Sequence, residues 1–567
     1  MVIQLEYKSA KSCNVKFNYN MQLVDLTKTI PDRKWDSNNK CWVIPMKSVK
    51  IAKEIFNNSG HDVLIDDKIH VAVKDIETKE SILKDKLVKK KLDFDVCKLE
   101  YKNKPFPHQL TGIERMLQSD NMILGDDMGL GKTYISINAS VIRKQLGLVN
   151  KVLVLCGINS VKYNWQEEIS VHSNEKGTVF DGKNIKHRLE LLENWINNVD
   201  TNFFGIINVE SLQKTEIVAV LQKAIKQNVI SMIIIDEAHK IKNPTSIRGK
   251  ALQKLNPKYK VALTGTPIMN RPDEAYNILK WIGAETGTYT NFKNFYCTFG
   301  GFCNREIVGY KNLKHLNDTL NMCMLRRKKE DVLDLPEKVY KTEYVELSAK
   351  GMKFYMDVRQ ELVKKIDELV LDSNPLSKLL RLRQITGGLL GEDTSKLDRL
   401  LEIVEDHKLN KRKMIIFTQW KAEADVITRA IKDKVYKRVL QIDGSVSAEQ
   451  RQHVVNVFQN SDEFEIVVGT IGACGTGLTL NKAETVVFMD KAWTPADNRQ
   501  AEDRAYRIGT KHTVNIVSLV VKNTIDEYIE NILNEKQDLF NMVVEGVDTS
   551  KQTRANLIKQ LLGVSEI

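Results

Sequence analysis

The chain has 567 residues, of which 42% are hydrophobic and 28% are charged, and its formal net charge is +12. This length exceeds what one hydrophobic core normally supports, so we expect at least two large domains. No apolar run approaches the roughly 20 residues that a membrane-spanning helix needs, which argues against a membrane role. The positive charge is compatible with a polyanionic partner but does not identify one.

Two further features of the composition concern compartment and metal binding. Residues 1–11 lack the apolar core and cleavage site of a signal peptide, so we expect an intracellular protein. The eight cysteines never form a C-x-x-C pair, and the sequence therefore predicts neither a zinc ribbon nor a dithiol redox site.

The first half of the chain divides into three predicted parts. Residues 1–73 combine short alternating runs with one amphipathic stretch, which predicts a small α+β module. Residues 74–104 are strongly charged and predict a linker. Residues 105–300 alternate continuous apolar runs with helical patterns, which is typical of a parallel sheet buried on both faces.

The second half also divides into three. Residues 301–400 carry apolar side chains at helical spacing and predict an inserted helical region, whereas residues 401–522 repeat the strand and helix alternation of the first lobe. Residues 523–567 predict a C-terminal helical brace that starts at Thr524. The predicted fold is therefore α/β, with two parallel-sheet lobes, inserted helices and a small amino-terminal module.

A phosphate-binding loop is predicted between the apolar run 122–124 and the next helical pattern. Glycines let backbone N–H groups face the phosphates, Lys132 would neutralise the β and γ oxygens, and the Thr133 hydroxyl would hold Mg²⁺. The general pattern begins with glycine where this chain has Asp126. The predicted ATP-binding residues of the loop are Asp126, Met128, Gly129, Leu130, Gly131, Lys132 and Thr133.

Two acids follow the apolar run 233–235. At the carboxyl edge of a parallel sheet, Asp236 can reach the Mg²⁺ shell and Glu237 can polarise the water that attacks the γ-phosphate. The sequence therefore predicts a catalytic pair at this edge.

Two arginines, Arg504 and Arg507, stand three residues apart in a segment that begins at Gln500. On one face of a helix, both could enter a cleft between the lobes and stabilise charge in the transition state. The predicted catalytic residues are Lys132, Asp236, Glu237, Gln500, Arg504 and Arg507.

With these motifs in place, the chain resembles the Swi/Snf-type ATPases of helicase superfamily two from about Phe106 to Asn541. The resemblance implies two RecA-like lobes, ATP and Mg²⁺ as cofactors, and a monomeric motor that moves along double-stranded DNA. Such a motor either remodels DNA, by strand annealing or at forks and branch points, or displaces DNA-bound protein, and the sequence does not choose among these outcomes. It implies that Gln109 reads adenine and that Gly475 and Gly477 contact the nucleotide. The absence of the family's common extra domains favours a bacterial or viral member, so we expect the cytoplasm of a bacterial or phage-infected cell, with a nuclear location left open.

Other matches imply contacts with the nucleic-acid backbone, which carry no sequence information. The implied positions are Asn208, Thr264, Thr266, Arg326, Arg327, Thr476, Thr479 and Trp493. The chain departs from the family at His108, where a tyrosine is usual, and at Gly157, where a proline is usual.

The stretch 30–45 resembles the HARP-type domain of annealing helicases. Trp35 and Trp42 lie beside basic residues there and could stack on bases at a fork, although tryptophans in a small domain are also common core residues.

Two other functions stay open from the sequence. A DEAH string also occurs in helicases that separate strands of RNA or act on single strands, and a non-catalytic DNA-binding scaffold with a decayed ATPase is a third hypothesis. Preference for duplex DNA over RNA, and loss of turnover on mutation of Lys132, would distinguish them.

Overall fold

The computed structural model describes residues 2–30, 33–85, 87, 90–157, 159–182, 184–198, 202–268, 270–300, 306–367, 375–474, 478–507 and 509–545.

The amino-terminal module is a five-stranded sheet with three helices. Its elements are β1 (Val2–Ser9), β2 (Ser12–Lys16), α1 (Met21–Thr29), β3 (Lys34–Asp36), β4 (Cys41–Pro45), α2 (Val49–Asn58), β5 (Asp62–Ile65) and α3 (Asp67–Asp85). The strand order is β3-β4-β2-β1-β5, antiparallel except for the parallel pair of β1 and β5. Helix α3 runs into the predicted linker, so the boundary expected after residue 73 falls inside a helix.

The first lobe is built on a seven-stranded sheet. Its elements are α4 (Pro107–Gln118), β6 (Asn121–Leu124), α5 (Lys132–Gln145), β7 (Lys151–Cys156), α6 (Asn159–His172), β8 (Gly177–Val179), α7 (Ile185–Asn197), β9 (Phe204–Asn208), α8 (Thr215–Lys226), β10 (Ile230–Ile235), α9 (Ile247–Leu252), β11 (Tyr259–Leu263), α10 (Tyr276–Ile282), α11 (Tyr289–Tyr296), β12 (Cys297–Gly300), β13 (Glu306–Tyr310), α12 (Leu313–Cys323), β14 (Met324–Leu325) and α13 (Lys329–Val332). The sheet order is β14-β6-β11-β10-β7-β9-β8, and all its pairs are parallel. Strands β12 and β13 form a separate antiparallel pair.

The second lobe is built on six strands. Its elements are β15 (Lys338–Val345), α14 (Ala349–Asp367), α15 (Pro375–Thr386), α16 (Ser395–Leu409), β16 (Met414–Thr418), α17 (Lys421–Lys434), β17 (Leu440–Ile442), α18 (Ala448–Asn460), β18 (Ile466–Thr470), α19 (Ile471–Cys474), β19 (Thr485–Phe488), α20 (Pro495–Glu502), β20 (Val514–Val521) and α21 (Ile525–Phe540). The sheet order is β15-β20-β19-β16-β18-β17, again with all pairs parallel.

Both sheets are buried on two faces, as their continuous apolar strands predict. In β10, Ile233 and Ile235 pack into one hydrophobic cluster while Met232 and Ile234 pack into the cluster on the opposite face. The predicted α/β fold with two parallel-sheet lobes is confirmed.

The region between the lobes differs from the expected helical insertion. It contributes β14 to the edge of the first sheet, beside β6, and β15 to the edge of the second sheet, beside β20. These two strands were not predicted because β14 is very short and β15 is mostly exposed, so neither shows a buried apolar run.

The C-terminal helix α21 contacts both lobes. The Thr524 side chain accepts a hydrogen bond from the Asp526 amide and caps the helix as predicted. The helix begins in a cluster with α14 and α15, whereas Phe540, Val543 and Val544 lie in the core cluster of the first lobe. Within the described ranges, none of the helices combines the length and apolar character needed to cross a membrane.

Candidate nucleotide-binding site

The predicted phosphate loop connects β6 to α5, as expected. Gly129 and Gly131 adopt left-handed conformations, with φ of 85° and 80°, which favour glycine because it has no Cβ. The Lys132 ammonium donates to the carbonyls of Asp126 at 2.7 Å and Asp127 at 3.2 Å. The lysine is therefore held at the mouth of the loop.

Gln109 lies against this loop. Its Oε1 accepts a hydrogen bond from the Phe106 amide at 3.0 Å, and its amide nitrogen is so near Gly131 that a Cβ there would collide with it. His108 is buried, lies 3.1 Å from the Leu130 carbonyl, and stacks on Phe106 at 5.8 Å. The histidine that replaces the usual tyrosine therefore packs on the protein itself.

The carboxylates of Asp236 and Glu237 follow the end of β10. The Trp165 indole N–H donates to Asp236 Oδ2 at 2.9 Å, while burial and the neighbouring Glu237 raise the pKa of Asp236 to about 6. Glu237 has a φ of 50°, and its Oε2 is buried and accepts no hydrogen bond from the described residues. Both acids are thus held in a site that favours a cationic or hydrogen-bond-donating ligand.

His239 links these acids to the loop after β11. Its Nδ1 lies 3.3 Å from Glu237 Oε2 and 3.3 Å from Thr264 Oγ1. Burial lowers the pKa of His239 to about 4, so the imidazole is neutral near pH 7. The sequence analysis did not assign His239, although its place in the DEAH string was a signal for it.

Arg504 and Arg507 follow α20 and lie in the turns after the helix, not on its face as predicted. Arg504 Nη1 donates to the Leu478 carbonyl at 3.1 Å, and Arg507 Nη1 donates to Thr479 Oγ1 at 3.0 Å. Burial lowers the pKa of Arg504 to about 10, which leaves it protonated near neutral pH. Arg507 Cγ would lie 3.5 Å from a Cβ built on Gly129, so this arginine reaches the phosphate loop of the other lobe.

One cavity of about 290 Å³ collects the predicted catalytic residues of both lobes. Its walls include Met128, Gly129, Gly131, Lys132, Thr133, Asp236, Glu237, Thr479, Gln500, Arg504 and Arg507. Gly475, Thr476 and Gly477, which were also predicted to make contacts, lie outside the described residues.

Lys240 is a cavity residue that the sequence analysis missed. Its side chain lies over Gly157, where a Cβ would be 2.7 Å from both Cδ and Nζ. The glycine that replaces the family's usual proline thus provides room for Lys240, whose ammonium joins the cavity wall.

Two of the predicted loop residues do not contribute side chains to the cavity. The Asp126 carboxylate is fully buried and is bound by Arg327, whose Nε lies 3.0 Å from Oδ1. Leu130 lies in the core, with a fully buried side chain. Both side chains are turned into the lobe, so only their backbone groups remain available to the cavity.

Arg326 and Arg327, predicted to contact nucleic acid, are instead turned inward. Arg326 binds Asp127 at 2.7 Å and Glu545 at 2.9 Å, and it donates to the Gly125 carbonyl at 2.8 Å. The guanidinium groups are occupied by Asp126, Asp127 and Glu545, which corrects the prediction for both arginines.

Several other predicted nucleic-acid contacts are also buried or face the cavity. Asn208 is buried and accepts a hydrogen bond from Ser211 at 2.5 Å, and the buried Thr264 accepts from the Thr266 amide at 3.1 Å. Thr266 is itself buried, and Thr479 lies on the cavity wall. The structure therefore offers none of these four side chains as a surface contact.

The three predicted tryptophans have different environments. Trp35 is 53% exposed and meets the partly buried Trp42 edge to face at 5.2 Å, so the core interpretation applies only to Trp42. Trp493 is partly buried under the Arg383 guanidinium, 5.1 Å from its ring.

Family profiles cover most of the chain. The SNF2-related domain profile matches residues 108–388, and the profile of the helicase conserved C-terminal domain matches residues 395–509. The chain belongs to the SNF2-related family. The predicted enzyme class, a helicase-like ATPase, is confirmed, and ATP is the nucleotide that this family uses.

Three relatives illustrate the range of the family. The chain is 31% identical to an uncharacterized ATP-dependent helicase of Mycoplasma genitalium, over 76% of this chain and 41% of that protein. It is 28% identical to the DNA annealing helicase and endonuclease ZRANB3 of Bos taurus, over 81% of this chain and 42% of that protein. It is 27% identical to a SWI/SNF-related regulator of chromatin, subfamily A-like protein 1 homolog, of Caenorhabditis elegans, over 94% of this chain and 74% of that protein. The chain thus spans less than half the length of the first two relatives.

Proposed function

We propose that the chain is an ATP-driven translocase on double-stranded DNA. One observation carries the proposal: a single cavity is lined by Lys132, Asp236 and Glu237 of the first lobe and by Arg504 and Arg507 of the second. Groups of both lobes then act on one triphosphate, so binding and hydrolysis change the relative position of the lobes. Lobes that grip a duplex backbone and move in this way advance along it without reading its sequence.

Each side chain has a role that suits its chemistry. Lys132 neutralises phosphate oxygens, Glu237 orients the attacking water, and the two arginines stabilise charge that develops on the γ-phosphate. The Asp236 carboxylate and the Thr133 hydroxyl line the same cavity and suit a Mg²⁺ ion, which would supply further charge neutralisation when bound.

The test is steady-state ATPase activity with duplex DNA, single-stranded DNA and RNA. We expect the strongest stimulation by duplex DNA; a stronger response to RNA or single strands favours the strand-separating helicase. Lys132→Ala and Glu237→Gln are expected to abolish turnover and leave DNA binding nearly intact. Lys144→Ala is the matched control, because Lys144 lies on the same helix in an exposed ion pair with Glu175. Full turnover in Lys132→Ala would contradict the assigned site.

The finer proposal is that the amino-terminal module directs the motor to forked or branched DNA. Trp35 presents an exposed ring on the edge strand β3, between Lys34 and the Asp36–Lys8 ion pair, where a base could stack on it. One relative is described as a DNA annealing helicase, and the alignment with the C. elegans protein, at 94% of this chain, extends into residues 1–73.

A variant pair tests this assignment. Trp35→Ala is expected to remove the preference for forked over linear duplex while leaving ATPase activity on linear duplex unchanged. Tyr19→Ala is the control, because Tyr19 is an 86% exposed aromatic residue of the same module. Equal fork preference in the wild type and Trp35→Ala would reject a role for this ring.

A further inference from the structure

The short segment from Leu325 to Lys329 runs alongside the phosphate loop. The Gly125 amide donates to the Leu325 carbonyl at 2.7 Å, and the Asp127 amide donates to the carbonyl of Arg327 at 3.0 Å. One step further, the Lys329 amide donates to Asp127 Oδ2 at 3.1 Å. The backbone of Lys329 is thus fixed to the loop that is proposed to hold the phosphates.

The side chain of Lys329 crosses to the second lobe. Its ammonium lies 2.7 Å from the Asp503 carboxylate and donates to the Tyr506 carbonyl at 2.9 Å. Its stem packs on Gly129, since a Cβ built there would lie 3.4 Å from Lys329 Cε. One lysine therefore contacts the phosphate loop of the first lobe and the turn of the second lobe at the same time.

The contacted turn carries the two catalytic arginines. Asp503 immediately precedes Arg504, and Tyr506 immediately precedes Arg507. The second lobe holds Asp503 from its own side through Lys338, at 3.7 Å, and Lys338 also binds Glu502 at 3.0 Å.

The contact between Lys329 and Asp503 lies in a nearly buried environment, which restricts the positions that the two side chains can take. The ion pair with Asp503 is nearly buried, with only 8% and 14% of the two side chains exposed. Burial lowers the pKa of Lys329, and Asp503 opposes that shift by favouring the charged ammonium. A buried pair of this kind is satisfied only in a narrow range of positions, so it selects one arrangement of the two lobes.

We propose that Lys329 is a positioning residue that sets Arg504 and Arg507 opposite the phosphate loop. This inference rests on the proposed ATP hydrolysis at that site. Lys329 lines a cavity of about 640 Å³ that shares Met128 and Asp503 with the nucleotide cavity, but it does not itself line the nucleotide cavity, so it acts through the arginines and not through direct contact with ATP. Loss of the contact leaves the binding groups in place and misplaces the groups that stabilise the transition state.

The test compares Lys329→Met, Lys329→Arg and Lys491→Met in the full chain, by steady-state ATPase activity with saturating duplex DNA. Lys491 is the matched control, because it forms a half-buried ion pair with Glu530 at 2.8 Å within the second lobe. An ångström of misplacement costs about 10²-fold in rate, so we expect kcat of Lys329→Met to fall by about 10- to 100-fold. The KM for ATP should change by less than about threefold, since uniform binding is retained.

The conservative variant Lys329→Arg and the control Lys491→Met should lose less activity than Lys329→Met. Lys329→Arg keeps the charge but not the shape of the ammonium, so its kcat should recover only in part and lie above that of Lys329→Met, whereas the kcat of Lys491→Met should stay within about threefold of the wild type. Wild-type kcat in Lys329→Met, or the same loss in Lys491→Met, would overturn the proposal. A large rise in KM with kcat unchanged would also overturn it, because it would mean that Lys329 serves binding.

A second measurement does not depend on activity. Hydrogen exchange of the amides in residues 503–507 should be about tenfold faster in Lys329→Met than in the wild type or in Lys491→Met, because the turn loses its anchor on the first lobe. Unchanged exchange rejects the anchoring. If the wild type hydrolyses no ATP with any nucleic acid, the proposed function fails, and the exchange result still decides whether Lys329 holds the turn.

Discussion

The buried ion pair of Asp126 and Arg327 makes a quantitative prediction about stability. Asp126 stands where a phosphate loop usually has glycine, and its carboxylate is fully buried. Arg327 holds both carboxylate oxygens through Nε and Nη2, and its Nη1 donates to the His108 carbonyl next to Gln109. The guanidinium therefore joins the loop to α4.

The substitution Arg327→Met leaves the Asp126 carboxylate buried without a counterion. Breaking such a pair from one side costs about 3–5 kcal/mol, which corresponds to a fall in Tm of roughly 6–20 °C for a domain of this size. The double substitution Asp126→Gly with Arg327→Met removes both charges and should recover at least half of the loss. The control Arg248→Met breaks an exposed pair with Glu210 in the same lobe, at 3.3 Å, and should cost no more than about 1 kcal/mol.

Scanning calorimetry of the four proteins in one buffer measures these differences. A melting temperature of Arg327→Met within about 2 °C of the wild type would contradict this prediction, because burying an unpaired carboxylate should destabilise the fold by more than that. The prediction is also refuted if the double variant is no more stable than Arg327→Met alone.

Three further outcomes are expected. Arg507→Ala should lower kcat by about 10³-fold in ATPase assays while duplex binding, followed by fluorescence anisotropy, stays within experimental error. Trp165→Phe removes the N–H that binds Asp236, so the Mg²⁺ concentration for half-maximal ATPase activity should rise about tenfold, and an unchanged Mg²⁺ requirement would argue against this orienting role. Burial and the neighbouring Asp490 hold the pKa of Glu423 well above its ordinary value, so the folded state keeps a proton that the unfolded state loses. The stability that Glu423 contributes is therefore lost as the pH rises above its ordinary pKa of 4.5, and Glu423→Gln should flatten the fall in urea midpoint above that pH.

The strands that the sequence predicted are those with continuous apolar runs. In β7, β10 and β18 every residue is buried. Because both faces of the sheet are covered, nearly every position of such a strand is apolar, and this pattern is visible in the sequence. The edge strand β15 was not predicted because most of its residues are exposed. The strand β8 has only three residues, which is too few to show a hydrophobic pattern. Edge position, which removes burial on one side, is a property of the sheet and leaves little trace in the local sequence.

In the site, too, residues within one short motif were predicted, whereas contacts between residues far apart in the sequence were not. Lys132, Asp236 and Glu237 were predicted because a strand, a turn and a reactive group follow one another within a few residues. The hydrogen bond from Trp165 to Asp236 joins residues 71 apart, and that from Lys329 to Tyr506 joins residues 177 apart. Pairs of this kind depend on how the elements pack.

Arg326 and Arg327 were assigned to nucleic acid through the resemblance to the family, whereas the structure pairs both with acids of the phosphate loop. The overlooked signal was Asp126, since an acid in place of a loop glycine, directly after a buried strand, requires a cationic partner. The same reasoning applies to Asp127, which Arg326 binds at 2.7 Å. The two acids of the loop are thus paired with the two arginines that directly follow β14.

The segment of residues 325–329 therefore has a mechanical consequence. Arg327 ties the phosphate loop to α4, Arg326 ties it to Glu545 at the end of the described chain, and Lys329 ties it to Asp503 of the second lobe. The three side chains start from one short stretch that is hydrogen-bonded to the loop. If the loop shifts when nucleotide binds, as the proposed function requires, these contacts would pass the shift to α4, to the C-terminal segment and to the arginine turn together.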